Sequence, residues 1–143
     1  MSKIGDLTAS LTIEAEFPDI EGFIVNLHYL DRKELTAMRK RTTVIKFSKT
    51  TRQREEEIDN DRFLEEYASA AIKGWKGLKV KDLSMLLPVD LSKADNLDET
   101  IPYTEEDALD LLSNSTTFDQ FVTDCMNDYE MFSKKSKDKV VKN

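Results

Sequence analysis

The sequence predicts an α+β fold, with a short antiparallel sheet and one helix in the N-terminal half and three amphipathic helices in the C-terminal half. Two observations favour it: apolar residues alternate with period two before residue 48 and recur at helical spacing after residue 59. The length of 143 residues suits one domain. We expect this domain over 1–133, with strands within 10–48, a helical part over 59–133 and a disordered basic tail over 134–143.

Two runs near the N-terminus alternate apolar and polar side chains, as in a strand with one buried face. Residues 11–17 form the first run and residues 23–29 the second, and we expect them to pair as a hairpin. Asp31 stands three residues before Glu34, which is typical of a capping box. This spacing predicts a helix over Arg32–Arg41.

A third strand is predicted over Thr43–Ser48, with Thr43, Ile45 and Phe47 on one face. The polar stretch Lys49–Glu57 that follows is predicted to be a mobile loop.

The next segment is predicted to be the longest helix. From Asp59 apolar residues fall three to five positions apart, with Asp59 or Asn60 as the N-cap. We expect the helix to stop near Trp75–Leu78, because Gly74 and Gly77 weaken it there. The apolar island after this point, residues 83–91, contains a proline and is given no regular structure.

Two further helices are predicted from capping patterns. Thr104 with Asp107 opens one, and Thr117 with Gln120 opens the other. The second carries an apolar stripe over residues 118–132 that suits a core or a partner.

Charge is unevenly distributed along the chain. The span from Glu55 to Met131 holds 20 acids and 6 bases, whereas Arg39 to Arg54 holds seven bases and no acid. Nucleic-acid binding is disfavoured, because the basic stretch offers one aromatic residue and the acidic body repels phosphate. We favour a basic loop facing an acidic helical face of the same or a neighbouring copy. A decoy for a host nucleic-acid-binding protein is a weaker alternative based on the acidic block.

The chemistry of a catalytic or metal site is not found. The lone His28 and Cys125 cannot assemble a zinc set, and the thiol lies on an apolar helical stripe. The triplet at 59–61 differs from a calcium loop, which requires glycine at Leu64 and glutamate at Ala70. We therefore expect no enzyme, no metal and no cofactor. Neither an export signal nor an apolar run of roughly 20 residues is present, so we expect an intracellular protein that does not bind membranes.

Apolar residues around the tryptophan are candidates for a partner-binding surface. Aromatic residues are enriched in interface cores. The candidates are Trp75, Leu78, Leu86 and Leu87. The alternative is that they close the core between the long helix and the C-terminal helices.

Four segments of the C-terminal two thirds resemble tail assembly chaperones of long-tailed bacteriophages. They are DRFLEEY at 61–67, IKGWKGL at 72–78, IPYTEE at 101–106 and FDQFV at 118–122. The most specific element is Gly-Trp-Lys-Gly-Leu, followed about 25 residues later by Pro-Tyr-Thr-Glu-Glu. The similarity covers residues 20–133.

The resemblance implies a protein that binds and solubilises the tape-measure protein in the host cytoplasm and is absent from the mature virion. It also implies a homo-oligomer and, in many members, a longer frameshifted form that contacts the tail tube protein. Lys134-Lys135 is compatible with a slippery codon stretch. A different class of function stays open, namely a structural minor tail component retained in the virion through a sheet edge.

Overall fold

The computed structural model describes residues 11–128, 131–132 and 140–142. The six strands of this part are β1 (Thr12–Glu16), β2 (Ile24–His28), β3 (Thr43–Phe47), β4 (Arg54–Ile58), β5 (Ile72–Lys76) and β6 (Val140–Lys142). Its α-helices are α1 (Arg32–Arg41), α2 (Asn60–Ala71), α3 (Glu105–Asn114) and α4 (Thr116–Asn127). Two short 3₁₀ helices, Val80–Met85 and Leu91–Lys93, lie between β5 and α3. The predicted α+β class is confirmed.

The main sheet has four strands in the order β5–β2–β1–β6. β1 and β2 form the predicted antiparallel hairpin, with Ile13 opposite Leu27 and Ala15 opposite Val25. Directly opposite residues project to the same face, so these four apolar side chains line one side of the sheet. All four are buried.

Helices α2, α3 and α4 also contribute buried side chains to the core. The Phe17 ring lies 5.1 Å from the Phe121 ring, and Phe23 stacks on Phe118 at 6.3 Å. Val122 and Cys125 continue this buried stripe of α4. The amphipathic helix predicted after residue 117 is therefore confirmed in its main contacts.

Side-chain caps begin the α-helices. Asp31 accepts a hydrogen bond from the Glu34 amide at 2.8 Å, completing the predicted capping box. Asp59 caps α2 and Thr104 caps α3, as predicted. The last helix begins earlier than predicted, because Ser115 rather than Thr117 accepts from the amide of Phe118 at 3.1 Å. Ser115 ends α3 and caps α4, so the two helices follow each other without a loop.

The long helix is shorter than predicted. It ends at Ala71, and Ile72 already has extended backbone angles, φ −104° and ψ 116°. The residues expected to finish the helix form β5, where Trp75 lies opposite Val25 of β2. The prediction was wrong because residues 72–76 fit both helical and strand patterns, and only the hydrogen-bonding edge of β2 selects the strand.

Part of the predicted loop Lys49–Glu57 is a strand. β4 pairs antiparallel with β3 in a second, two-stranded sheet, with Ile45 opposite Glu56. Three consecutive glutamates disfavour a strand by propensity. Pairing with a basic strand compensates, since the ammonium of Lys46 lies 3.2 Å from a carboxylate oxygen of Glu57.

The end of the chain differs from the predicted disordered tail. Residues 140–142 pair in parallel with β1, placing Val140 opposite Glu14. Two consecutive valines favour an extended backbone, and the edge of β1 supplies its partner. The rest of the predicted tail, 134–139 and 143, lies outside the described residues.

Candidate protein-binding surface

Trp75 joins the main sheet to the segment before α3. Its indole Nε1 donates a hydrogen bond to the carbonyl oxygen of Ile101 at 3.1 Å. The ring meets Tyr103 edge-on at 5.1 Å and Phe23 edge-on at 6.1 Å. Because both its ring and its polar atom make contacts, Trp75 has a fixed orientation. The side chain is nevertheless only partly buried.

The strand that carries Trp75 and the residues directly after it are tied to the same segment at two further points. The Tyr103 hydroxyl donates to the carbonyl oxygen of Ile72 at 3.1 Å, and the Ile101 amide donates to that of Leu78 at 2.7 Å. These bonds hold residues 101–103 against β5. Ile101 is thereby placed in the lining of a cleft.

This apolar cleft has a volume of about 160 Å³. Its lining consists of Trp75, Leu78, Leu83, Leu87, Ile101 and Leu111, together with Asp107 and Asp110. A cavity of about 150 Å³ accepts a benzene ring, so this one matches a single large apolar side chain. We call it the acidic-rimmed cleft.

The structure brings three of the four predicted partner-binding residues together. Trp75, Leu78 and Leu87 line the acidic-rimmed cleft, whereas Leu86 does not. Leu78 is 1 % exposed and Leu86 is 6 % exposed, so both are core residues. For these two the alternative, closure of the core, describes their position. Trp75 and Leu87 keep partial exposure and stay candidates.

A second apolar surface was missed by sequence reasoning. Ile45 and Phe47 are 64 % and 65 % exposed on β3, and Ile58 is 36 % exposed at the end of β4. The strand register places the three side chains on one face of the two-stranded sheet. We call them the hairpin surface. Alternation predicted that Ile45 and Phe47 share a face. The pattern of neighbouring residues does not indicate whether that face is exposed.

The basic stretch and the acidic block meet within one chain. The Nε of Arg41, at the end of α1, lies 2.8 Å from a carboxylate oxygen of Glu66 in α2. Lys46 and Glu57 make the second such contact. Both pairs are substantially exposed, so they orient α1 and the hairpin more than they stabilise them.

The buried Cys125 thiol is not activated as a nucleophile in this arrangement. Burial, reinforced by Asp124 and Asp128, raises the pKa of the Cys125 thiol to about 12, which keeps it protonated at neutral pH. Within the described ranges, no three His, Cys, Asp or Glu side chains converge to hold a metal ion. Among the same residues no helix is long and apolar enough to cross a bilayer.

A comparison with protein families places the chain. The model of the family described as YdaY prophage protein matches residues 31–143. The chain belongs to the YdaY prophage protein family. The matched segment starts at the cap of α1 and includes both the acidic-rimmed cleft and the hairpin surface. Comparisons with curated proteins and with solved structures gave no match.

Membership of the YdaY prophage family supports the phage origin that the resemblance implied. The description of the matched family does not mention tail assembly or a chaperone role. A role in tail assembly is therefore a proposal about this family member.

Proposed function

We propose that this prophage protein is a tail assembly chaperone that binds and solubilises the tape-measure protein during tail morphogenesis. In this proposal it works in the host cytoplasm without catalytic residues or a cofactor, and it leaves before the virion matures. Its phage family supports the setting. The resemblance of residues 74–78 and 102–106 to such chaperones supports the specific role.

The observation that carries the proposal is the acidic-rimmed cleft. Its apolar floor is preformed, because Trp75 is fixed by one hydrogen bond and by ring contacts with Phe23 and Tyr103. Asp107 and Asp110, in the first two turns of α3, are the acidic residues of its lining. A cleft of this kind suits one apolar side chain of a helix that carries a Lys or Arg one turn away.

One such contact is too weak to hold the partner, so the proposal requires many copies of the protein on each partner chain. Burying one Leu or Phe side chain is worth about 1.5–3 kcal/mol. That gain is smaller than the cost of immobilising two molecules, so a single cleft binds a single helix weakly. A long helical partner with a repeated apolar stripe would accept many copies, and this is how the proposal accounts for a small protein that coats a long one.

The proposal is tested by co-expression with the tape-measure protein encoded in the same prophage. The wild-type chain should keep the tape-measure protein soluble and co-purify with it at several copies per partner. Leu87→Ser removes part of the cleft lining and should weaken the interaction more than about tenfold, which corresponds to about 1.4 kcal/mol. Val89→Ser is the matched control, since Val89 is exposed but lies outside the lining.

Two further variants separate the apolar and charged parts of the cleft. Trp75→Ala should also release the tape-measure protein, provided that circular dichroism shows a folded chain. Asp110→Asn should weaken binding at low salt and have little effect at high salt. Asp95→Asn, outside the cleft, should leave binding unchanged at both salt concentrations. A folded Leu87→Ser or Trp75→Ala variant that retains the wild-type ratio of the two proteins would remove the cleft from the proposal.

A structural tail component is the second candidate. It is favoured by the β3–β4 sheet, whose outer edges pair with no strand of the described residues. Unpaired edges are a means of polymerising into rings or tubes. Mass spectrometry of purified particles distinguishes the two, because a structural component is present in the virion and an assembly chaperone is not.

A further inference from the structure

The two-stranded sheet stands apart from the main sheet. Strands β3 and β4 pair with each other, and in the part of the chain that the structure describes they have no other strand partner. An isolated two-stranded sheet is only marginally stable in water. This one also carries the hairpin surface of Ile45, Phe47 and Ile58. Additional strands and cover for the apolar face would stabilise it.

The hydrogen-bond pattern shows which backbone groups the sheet leaves available. The Ser48 amide donates to Gln53 at 2.9 Å, and the Asp59 amide donates to Thr42 at 2.7 Å. In an antiparallel ladder bonded pairs recur every two residues, so the even-numbered residues of β3 bond inward to β4. The N–H and C=O groups of Thr43, Ile45 and Phe47 therefore point outward from the free edge. On β4 the outward positions are 54, 56 and 58.

We propose that two copies of this chain pair antiparallel through their β3 edges, with Ile45 opposite Ile45 of the partner subunit. The product is one four-stranded sheet in which both β3 strands are central and both β4 strands are outer. Ile45 and Phe47 of the two copies then form one continuous apolar stripe, flanked by Ile58. Sheets of three or more strands with an apolar face reach independent stability.

Charge favours the β3 edge over the β4 edge. Antiparallel pairing of two β4 strands about Glu56 would place Glu55 opposite Glu57 of the partner subunit, and like charges directly opposite each other are destabilising. Pairing about Ile45 places Lys46 opposite Val44 of the partner subunit. Each Lys46 is already neutralised by Glu57 of its own hairpin. The inner basic strands are thus bordered by outer acidic strands.

The size of the domain favours a symmetric pair over a head-to-tail chain. Copies joined antiparallel from β3 to β4 would all point the same way and repeat every two strands, about 10 Å. A compact domain of this length is roughly 30–40 Å across, so its neighbours would collide. In the symmetric pair the two domains lie at opposite ends of the shared sheet. The assembly then closes at two copies.

The area of this contact predicts a reversible dimer. One five-residue strand edge with two half-exposed apolar side chains buries on the order of a few hundred Å² per copy, below the roughly 800 Å² per partner of a standard stable interface. The dimer should therefore form and dissociate with protein concentration.

Sedimentation of the purified full chain across a concentration series tests the edge. The wild-type mass should rise towards twice that of the monomer and no further. Ile45→Pro removes the outward N–H at the centre of the edge and should weaken the dimer at least about tenfold. Glu56→Pro is the matched control, because it removes an outward N–H from the other edge and should leave the dimer unchanged.

Cysteine cross-linking tests the register independently. Bonded antiparallel pairs have Cα atoms about 5.5 Å apart, within the range of a disulfide. Ile45→Cys should therefore give a disulfide-linked dimer under mild oxidation. Phe47→Cys should give much less, since its counterpart lies more than about 10 Å away. The native thiol of Cys125 is fully buried and does not compete.

Several results would overturn the proposal. One is a wild-type chain that stays monomeric, together with an Ile45→Cys variant that gives no cross-linked dimer. The others are assemblies larger than a dimer and equal cross-linking of the Ile45→Cys and Phe47→Cys variants. Equal weakening by Ile45→Pro and Glu56→Pro would show that the contact is not specific to the β3 edge, and weakening by Glu56→Pro alone would assign it to the β4 edge. If Ile45→Pro fails to fold, Ile45→Thr with Phe47→Thr replaces it, because this pair keeps both N–H groups and removes only the apolar stripe. None of these measurements involves the tape-measure protein, so failure of the dimer leaves the proposed chaperone function to its own test.

Discussion

The two hairpins of this protein have the same local geometry and opposite surroundings. β1–β2 and β3–β4 are each antiparallel pairs of five-residue strands. The first lies between β5 and β6 and is packed in the core, whereas the second pairs with no other strand of the described residues and leaves Ile45 and Phe47 exposed. Alternation of side chains therefore predicts that a segment is a strand, but it does not predict whether the strand is buried.

The composition of the paired faces explains the difference. In the first hairpin both strands contribute apolar side chains to one face, as with Ala15 opposite Val25. In the second, apolar side chains of β3 lie opposite charged ones of β4, as with Ile45 opposite Glu56. A face that is half charged cannot be buried in a core without unpaired charges.

The largest expected effect contrasts one phenylalanine from each region. Phe23 is fully buried and contacts Phe17, Trp75 and Phe118, so Phe23→Ala should lower the free energy of unfolding by about 3–5 kcal/mol. Phe47→Ala at the exposed hairpin should change it by less than about 0.5 kcal/mol. Urea unfolding at low protein concentration measures both. Equal losses would show that the second hairpin is covered.

A smaller effect tests the end of the buried sheet. Gly77 has φ 79°, and a Cβ there would collide with the carbonyl oxygen of Gly22 in the turn between β1 and β2. Gly77→Ala should therefore destabilise the chain by about 1–3 kcal/mol from backbone strain alone, and the collision adds to this. Gly74→Ala is the control, because its Cβ would meet only Asn26 at ordinary contact distance. A Gly77→Ala variant as stable as Gly74→Ala would contradict the close approach of Gly77 to that turn.

The smallest expected effect is a pH dependence of the free energy of unfolding, caused by ionisable groups of α2 and α4 that are withdrawn from water. Burial raises the pKa of the Cys125 thiol from 9.0 to about 12 and that of the Tyr67 hydroxyl from 10.0 to about 12. Folding favours the neutral forms, so their contribution is complete below about pH 9 and declines as the pH rises towards 12. Unfolding free energies at pH 8, 10 and 11 should fall less steeply for Cys125→Ala than for the wild type. Identical slopes would show that the thiol is not desolvated.

The elements predicted correctly depend on short-range patterns. The capping boxes and caps at Asp31, Asp59 and Thr104 involve residues three positions apart, and each is found. Of the four residues predicted to bind a partner, Trp75, Leu78 and Leu87 line the cleft, and Leu78 and Leu86 are buried. Their role in binding stays a prediction. Sequence spacing places residues on a stripe, but it does not say which members of the stripe another segment covers.

The sequence by itself determined the α+β class, the first hairpin and the start of most helices, because alternation and capping are properties of a few neighbouring residues. Only the tertiary structure decided that Ile72–Lys76 form β5, that Arg54–Ile58 form β4 and that Ile45 and Phe47 face solvent. These outcomes depend on backbone partners and on cover supplied from elsewhere in the chain. β5 lies some 45 residues after β2 in sequence, so no local pattern can reveal their pairing.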